Sequence, residues 1–154
     1  MENLELLNKF YKSFKKGDAA SMVQCYHLNV EFQDPAFGQL RNGKPAKMWE
    51  MLLSNKEASP QISFDVLFAD KNQGEVEWVA EYFFGPDKRK VINRVKAEFK
   101  FKDGKIINHK DSFNLWIWSR QALGVLGLLI GWTPFMRSKI QKMANSRLNK
   151  FIKK

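Results

Sequence analysis

The chain has one cysteine and two histidines in 154 residues, and no acidic side chain beyond Asp111. Each scarcity removes a class of protein. A lone Cys25 forms no internal disulfide and cannot anchor a multi-cysteine metal centre. Its neighbours Met22, Val23 and Tyr26 are apolar at helical spacing, which favours a buried, inert thiol. His27 and His109 offer no His-Glu-x-x-His ligand spacing, and no phosphate-cradling glycine loop or nucleophile elbow is present. We therefore expect no metal and no cofactor. Ala122 to Trp132 is a run of eleven residues without a polar side chain, and a membrane span needs about 20. Met1 to Phe10 carries Glu2 and Glu5 and no apolar leader core, so a cytoplasmic protein is expected.

What is present is enough for a substantial core. Hydrophobic residues make up 44% and aromatics 14%, with 13 Phe and 5 Trp, too apolar a composition for a disordered chain. The net charge of +10 is unevenly placed. Eight of the basic residues lie after Asp111, which leaves 18 basic against 16 acidic in the preceding part. The body is nearly neutral and the tail is basic, so nucleic-acid binding is a property to ask of the tail only, and no nucleic-acid partner is expected.

Two periods divide the chain. Leu4, Leu7, Phe10, Tyr11 and Phe14 follow the helical repeat, with Asn3 placed to cap the helix and Gly17 to end it. Asp18 can cap a second short helix, Val30 to Gln33 reads as a strand closed by Asp34-Pro35, and a third helix begins near Gly43. From Ile62 the period becomes two, through Phe64, Val66 and Phe68, then Val76 to Phe84, then Asn93 to Phe101. Asn72-Gln73-Gly74, Gly85-Pro86-Asp87 and Asp103-Gly104 punctuate these runs as turns. A last strand is expected from Lys105 to Trp118. Helices followed by a strand meander indicate an α+β fold with helices on one face of a curved antiparallel sheet.

Four segments in order carry a family resemblance: Phe10-Tyr11 to Gly17-Asp18, Val30 to Pro35, Arg41 to Ala46, and Phe99 to Ile106. They resemble the ketosteroid isomerase and SnoaL-like polyketide cyclase branches of the nuclear transport factor 2-like superfamily. The resemblance implies a cone-shaped fold over residues 1–118; residues 119–154 depart from it and read as a basic helical extension packed on the same domain. It also implies a homodimer. The isomerases use the aspartate of this Asp-Pro turn as general base, which gives Asp34 that role. Their oxyanion donors correspond to Phe10 and Ala97, neither of which can donate, so a true steroid isomerase is not expected. The epoxide hydrolases of the superfamily use an arginine and an aspartate two apart on one strand. The nearest pair, Arg94 and Lys96, does not match. The cyclase branch carries an acid/base aspartate on the last strand, where Asp111 stands. His109 falls about 6.6 Å away on the same strand face and can carry protons near neutral pH.

Each site residue has a structural alternative. Asp34 can simply stabilise its turn, Asp111 can pair with Lys96, and His109 can be a hydrogen-bonded core histidine. Trp78, Tyr82, Phe99, Phe101, Phe113 and Trp116 read as pocket lining or as plain core, with Asn93 as a polar exception. The resemblance therefore leaves two readings. One is a cofactor-independent isomerase, lyase or cyclase acting on a small apolar or carbonyl-containing ligand. The other is a module that binds without catalysis. The tail adds a third element: a basic amphipathic helix from Thr133-Pro134, whose apolar stripe packs on the domain or makes peripheral membrane contact. Packing is the expected outcome, with Ala122 to Trp132 tucked beneath that helix.

Overall fold

The structure, a computed structural model, describes residues 2–56 and 59–154. Helix α1 (Asn3–Lys15) buries Leu6, Leu7, Phe10, Tyr11 and Phe14. Glu2, not Asn3, occupies its cap position. The Asn3 amide instead donates to the carbonyls of Asp70 and Lys71, tying the helix start to a distant turn. Gly17 follows at φ +71°, the left-handed geometry that ends helices. Asp18 Oδ1 accepts the Ser21 N–H and caps helix α2 (Ala19–Gln24). Helix α3 (Lys44–Leu52) carries Pro45 in its first turn, as its sequence indicates.

Among the described residues six strands form one mixed sheet. They are β1 (Tyr26–Asp34), β2 (Gly38–Leu40), β3 (Gln61–Ala69), β4 (Gln73–Phe84), β5 (Arg89–Lys102) and β6 (Lys105–Ser112), in the spatial order β2-β1-β6-β5-β4-β3. All pairs are antiparallel except β1 with β6. Strand β1 begins at Tyr26, four residues before the sequence pattern shows it, and β2 is too short to show a period. The register sets Ala97 opposite Asp111 and Phe99 opposite His109, and a register shift at Lys100/Phe101 turns Ile106 into the core beside them. The concave face meets α1 in an aromatic core of Phe10, Tyr11, Phe14, Phe32, Trp49, Trp78 and Phe99.

The C-terminal part departs from expectation in two ways. Strand β6 stops at Ser112 because Asn114 caps a helix, its Oδ1 accepting the Ile117 N–H. Residues 115–118 therefore belong to helix α4 (Leu115–Leu123) and not to a strand, and a boundary at 118 falls inside that helix. Helix α5 (Val125–Ile130) then folds back on α4. A Cβ on Gly127 would sit 1.9 Å from the Ser119 carbonyl oxygen, and one on Gly131 would sit 2.6 Å from Ser119 Cβ. The glycines permit this close approach, and the segment is tucked under the last helix only in part, Leu123 and Ile130 packing against the cluster of Leu115, Met136 and Ile140. Val125, Leu126, Leu129 and Trp132 are exposed.

Helix α6 (Pro134–Ile152) is capped by Thr133 and packs on the body. Met136, Ile140 and Leu148 are buried, and Leu148 joins the main core. Gln141 and Asn145 donate their amides to the carbonyls of Pro35 and Phe37, which fastens α6 across the turn that follows Asp34.

Candidate functional site

Between the concave sheet face, α3, α4 and α6 lies a cavity of about 390 Å³, within the range of small-molecule sites. Asp34, Trp78, Tyr82, Asn93, Asp111 and Phe113 line it. His109 and Phe99 do not. Both are almost completely buried one layer behind the wall, their rings 4.3 Å apart between centroids. Trp116 does not either. Its place on α4 turns it towards α5, where its indole N–H donates to the Leu128 carbonyl. Trp118, two residues on, reaches the cavity instead. Sequence reasoning also missed Arg147, which α6 brings to the cavity wall. Its intrusion on the apolar stripe of that helix was the available signal.

The two carboxylates are held very differently. Asp111 is 4% exposed and ends a buried hydrogen-bonded chain. The Trp49 indole N–H donates to Tyr26 Oη at 2.8 Å, Tyr26 Oη meets His109 Nδ1 at 2.8 Å, and His109 Nε2 meets Asp111 Oδ1 at 2.8 Å. Proton counting fixes the direction of the chain. Tyr26 Oη already accepts from Trp49, and among the described residues only His109 Nδ1 can take its O–H. Nε2 then bears the imidazole proton and donates to Asp111. The Trp78 N–H adds a longer contact to the same oxygen at 3.4 Å. Asp111 is thereby fixed as an acceptor, and His109 is its positioning group, not a proton carrier in contact with the cavity. Lys96, the alternative partner, pairs with Glu75.

Asp34 is half-buried beside the cavity. Its Oδ1 accepts the N–H groups of Ala36 and Phe37, at 2.9 and 2.6 Å. Among the described residues nothing donates to Oδ2. Burial pushes its pKa up to about 7, and the nearby Asp111 charge raises it further, against the lowering effect of the two backbone donors. A carboxyl group raised towards neutrality at a cavity wall is what acid–base chemistry at neutral pH requires.

Linkage gives this shift a stability signature. Between about pH 4 and pH 7 the folded chain keeps a proton that the unfolded chain has lost, so stability falls as pH rises through that window and levels off above it. A full shift would cost about 4 kcal/mol at pH 8, and contact with the cavity reduces that. Asp34→Asn, which keeps both backbone acceptor contacts, is expected to gain about 1–3 kcal/mol at pH 8 and almost nothing near pH 4. Denaturant unfolding at the two pH values measures the difference.

The positions of the isomerase oxyanion donors are closed. Phe10 and Ala97 are both fully buried. A different donor stands on the cavity wall. The Trp118 N–H donates to Tyr82 Oη at 2.7 Å, and among the described residues nothing accepts the Tyr82 O–H. Burial raises the Tyr82 pKa, partly offset by the Trp118 hydrogen bond, and keeps it a neutral donor. Asn93 pairs with Ala80, two residues before Tyr82, which sets the amide diagonal to the phenol on the concave face. Among the described residues, no group of three His, Cys, Asp or Glu side chains converges as a metal site.

A SnoaL-like domain model matches residues 7–109, and the chain belongs to that family, within the nuclear transport factor 2-like superfamily. The match stops two residues before Asp111, so helices α4 to α6 lie beyond it. Among solved structures the chain is similar to a candidate polyketide cyclase of Pseudomonas putida KT2440, with a TM-score of 0.66 and 18% identity over 79% of this chain and 98% of that one. A candidate polyketide cyclase of Xanthomonas campestris pv. campestris gives 0.65 and 18% over 77% and 94%. TerC, crystallised with polyporic acid, gives 0.61 and 15% over 73% and 91%. These likenesses establish the shared fold. No curated protein sequence matches significantly.

Proposed function

We propose that the chain binds a small, largely apolar carbonyl compound and acts on it as a cofactor-independent isomerase, lyase or cyclase. The observation that carries this reading is Asp34, a carboxyl group raised to about 7 at the wall of an apolar cavity with one oxygen uncommitted. Deprotonated Asp34 takes a proton from the carbon next to the carbonyl. The C–H electron pair becomes the enolate, whose oxygen accepts from the Tyr82 O–H and the Asn93 amide. Return of the proton from Asp34 to another carbon completes an isomerisation. Alternatively the enolate carbon attacks a second carbonyl, whose C–O π pair moves to its oxygen and takes the proton from Asp34, and a ring closes. Asp111, anchored by His109, lies near enough for its carboxylate to help hold the Asp34 pKa up. A small-molecule ligand is consistent with TerC, a protein of the same fold that was crystallised with polyporic acid.

The test is a screen of polyketide-like and enone compounds for proton exchange, by deuterium incorporation. On a compound that exchanges, Asp34→Asn and Asp111→Asn are each expected to lower kcat by at least about 100-fold. Tyr82→Phe should lower it by a similar factor, the cost of one lost oxyanion donor. Binding that survives in all three variants with no exchange in the parent chain would leave a ligand-binding module. We also propose a homodimer that pairs through the outer face of the sheet. Light scattering should then give twice the 18.0 kDa chain mass.

A further inference from the structure

The α4–α5 hairpin presents an apolar surface that nothing in the fold covers. Val125 is 72% exposed, Leu129 63%, Trp132 69% and Phe135 70%, with Leu126 and Leu128 about half exposed. Large side chains normally scatter singly on a soluble surface, and a contiguous group of this kind marks an interaction site. The hairpin is also held firmly. Gly127 and Gly131 let α5 contact α4 at Ser119, and the Trp116 indole donates to the Leu128 carbonyl from beneath.

Cations surround this surface. The Arg89 guanidinium packs against Gly124 at the α4–α5 junction, with Nε donating to the Gln121 carbonyl. Arg120 lies over the Trp116 ring of the same helix, 4.6 Å from its centroid. Arg89, Lys90 and Arg120 line one open depression, with Asp87 as its single acidic member. Lys90 is paired with Glu81, whereas among the described residues Arg89 and Arg120 have no ion pair. No acidic residue follows Asp111, and Lys139 stands one helical turn from Phe135 on α6.

We propose that this face docks on the surface of an anionic lipid bilayer. The apolar side chains of α5, Trp132 and Phe135 enter the boundary between headgroups and acyl chains, and Arg89, Lys90 and Arg120 lie among the phosphates. Among the described residues no helix is long and apolar enough to cross, so the contact is made in the plane of the interface. Charge favours this occupant over a second copy of the chain. A two-fold contact centred on α5 would bring the arginines of both copies to one rim, with nothing acidic from the tail to offset them. The site lies on α5 and not on the basic face of α6, and it does not depend on the chemistry of the cavity.

Co-sedimentation of the full chain with vesicles tests this. The parent chain is expected to bind vesicles of equal parts phosphatidylcholine and phosphatidylglycerol, and to release as salt is added. Leu126→Glu with Leu129→Glu, at exposed positions that leave the melting temperature unchanged, should weaken binding by at least about 100-fold. Arg89→Ala with Arg120→Ala should weaken it by about 25-fold at low salt, at about fivefold for each cation. Three results would overturn the proposal. They are no binding by the parent chain, undiminished binding by the glutamate variant, or a concentration-dependent increase in mass abolished by Leu126→Glu without vesicle binding, which would assign the face to a second copy.

Discussion

Deletion of residues 133–154 is expected to destabilise the fold by about 3–8 kcal/mol. Met136, Ile140 and Leu148 are buried, and each such side chain is worth about 1.5–3 kcal/mol, reduced somewhat by residual burial in the unfolded chain. The amide contacts of Gln141 and Asn145 with Pro35 and Phe37 are lost as well. Against a total stability of about 5–15 kcal/mol, the truncated chain is left barely folded. Its denaturant midpoint, compared with that of the full chain, measures the loss. A change below about 1 kcal/mol would mean that α6 is an appendage. The same deletion takes Ile140, Met143, Ala144 and Arg147 from the cavity wall, so the helix is part of the site as well as of the core.

Replacing His109 by Leu should cost about 3–5 kcal/mol, because it leaves the buried Asp111 carboxylate without its principal partner. Tyr26 loses the acceptor of its O–H in the same step. The double replacement His109→Leu with Asp111→Leu removes the stranded charge together with its donor. It should therefore be less destabilised than the single His109→Leu chain, since exchanging both members of a buried pair for apolar groups is often neutral. Losses that simply add would show that the pair carries no coupling. Thermal and denaturant unfolding of His109→Leu, Asp111→Leu and the double variant distinguishes these outcomes.

Most of the fold was legible because its signals are local. The period-two runs from Ile62 to Phe101 and the turn at Asp103-Gly104, where both residues have positive φ, depend on neighbours in the chain. The misses came from distant contacts. The paired edge of β1 with β6 begins at Tyr26 through pairing with Ile106, far along the chain. Helix α4 displaced the end of the last strand because one asparagine at 114 cap outweighed the alternation of aromatic residues after it. At the site, the sequence could place Asp34 and Asp111 through the family resemblance and put Tyr82 and Asn93 on the concave face. It could not show that His109 stands behind Asp111 and not beside the cavity, because that follows from Tyr26 and Trp49 closing over the ring. Nor could it pair Trp118 with Tyr82, a contact created by the turn of α4 back over the sheet.

The reading of the cavity as an acid–base site rests on Asp34, and its titration can be followed directly. In protein labelled with ¹³C at the aspartate carboxyl carbon, the Asp34 resonance, assigned by its absence from Asp34→Asn, should move with a midpoint near pH 7. In Asp111→Asn the midpoint should fall, since the neighbouring charge is one cause of the elevation. A midpoint near 4 in the parent chain would identify Asp34 as an ordinary turn-stabilising carboxylate and contradict the proposed chemistry.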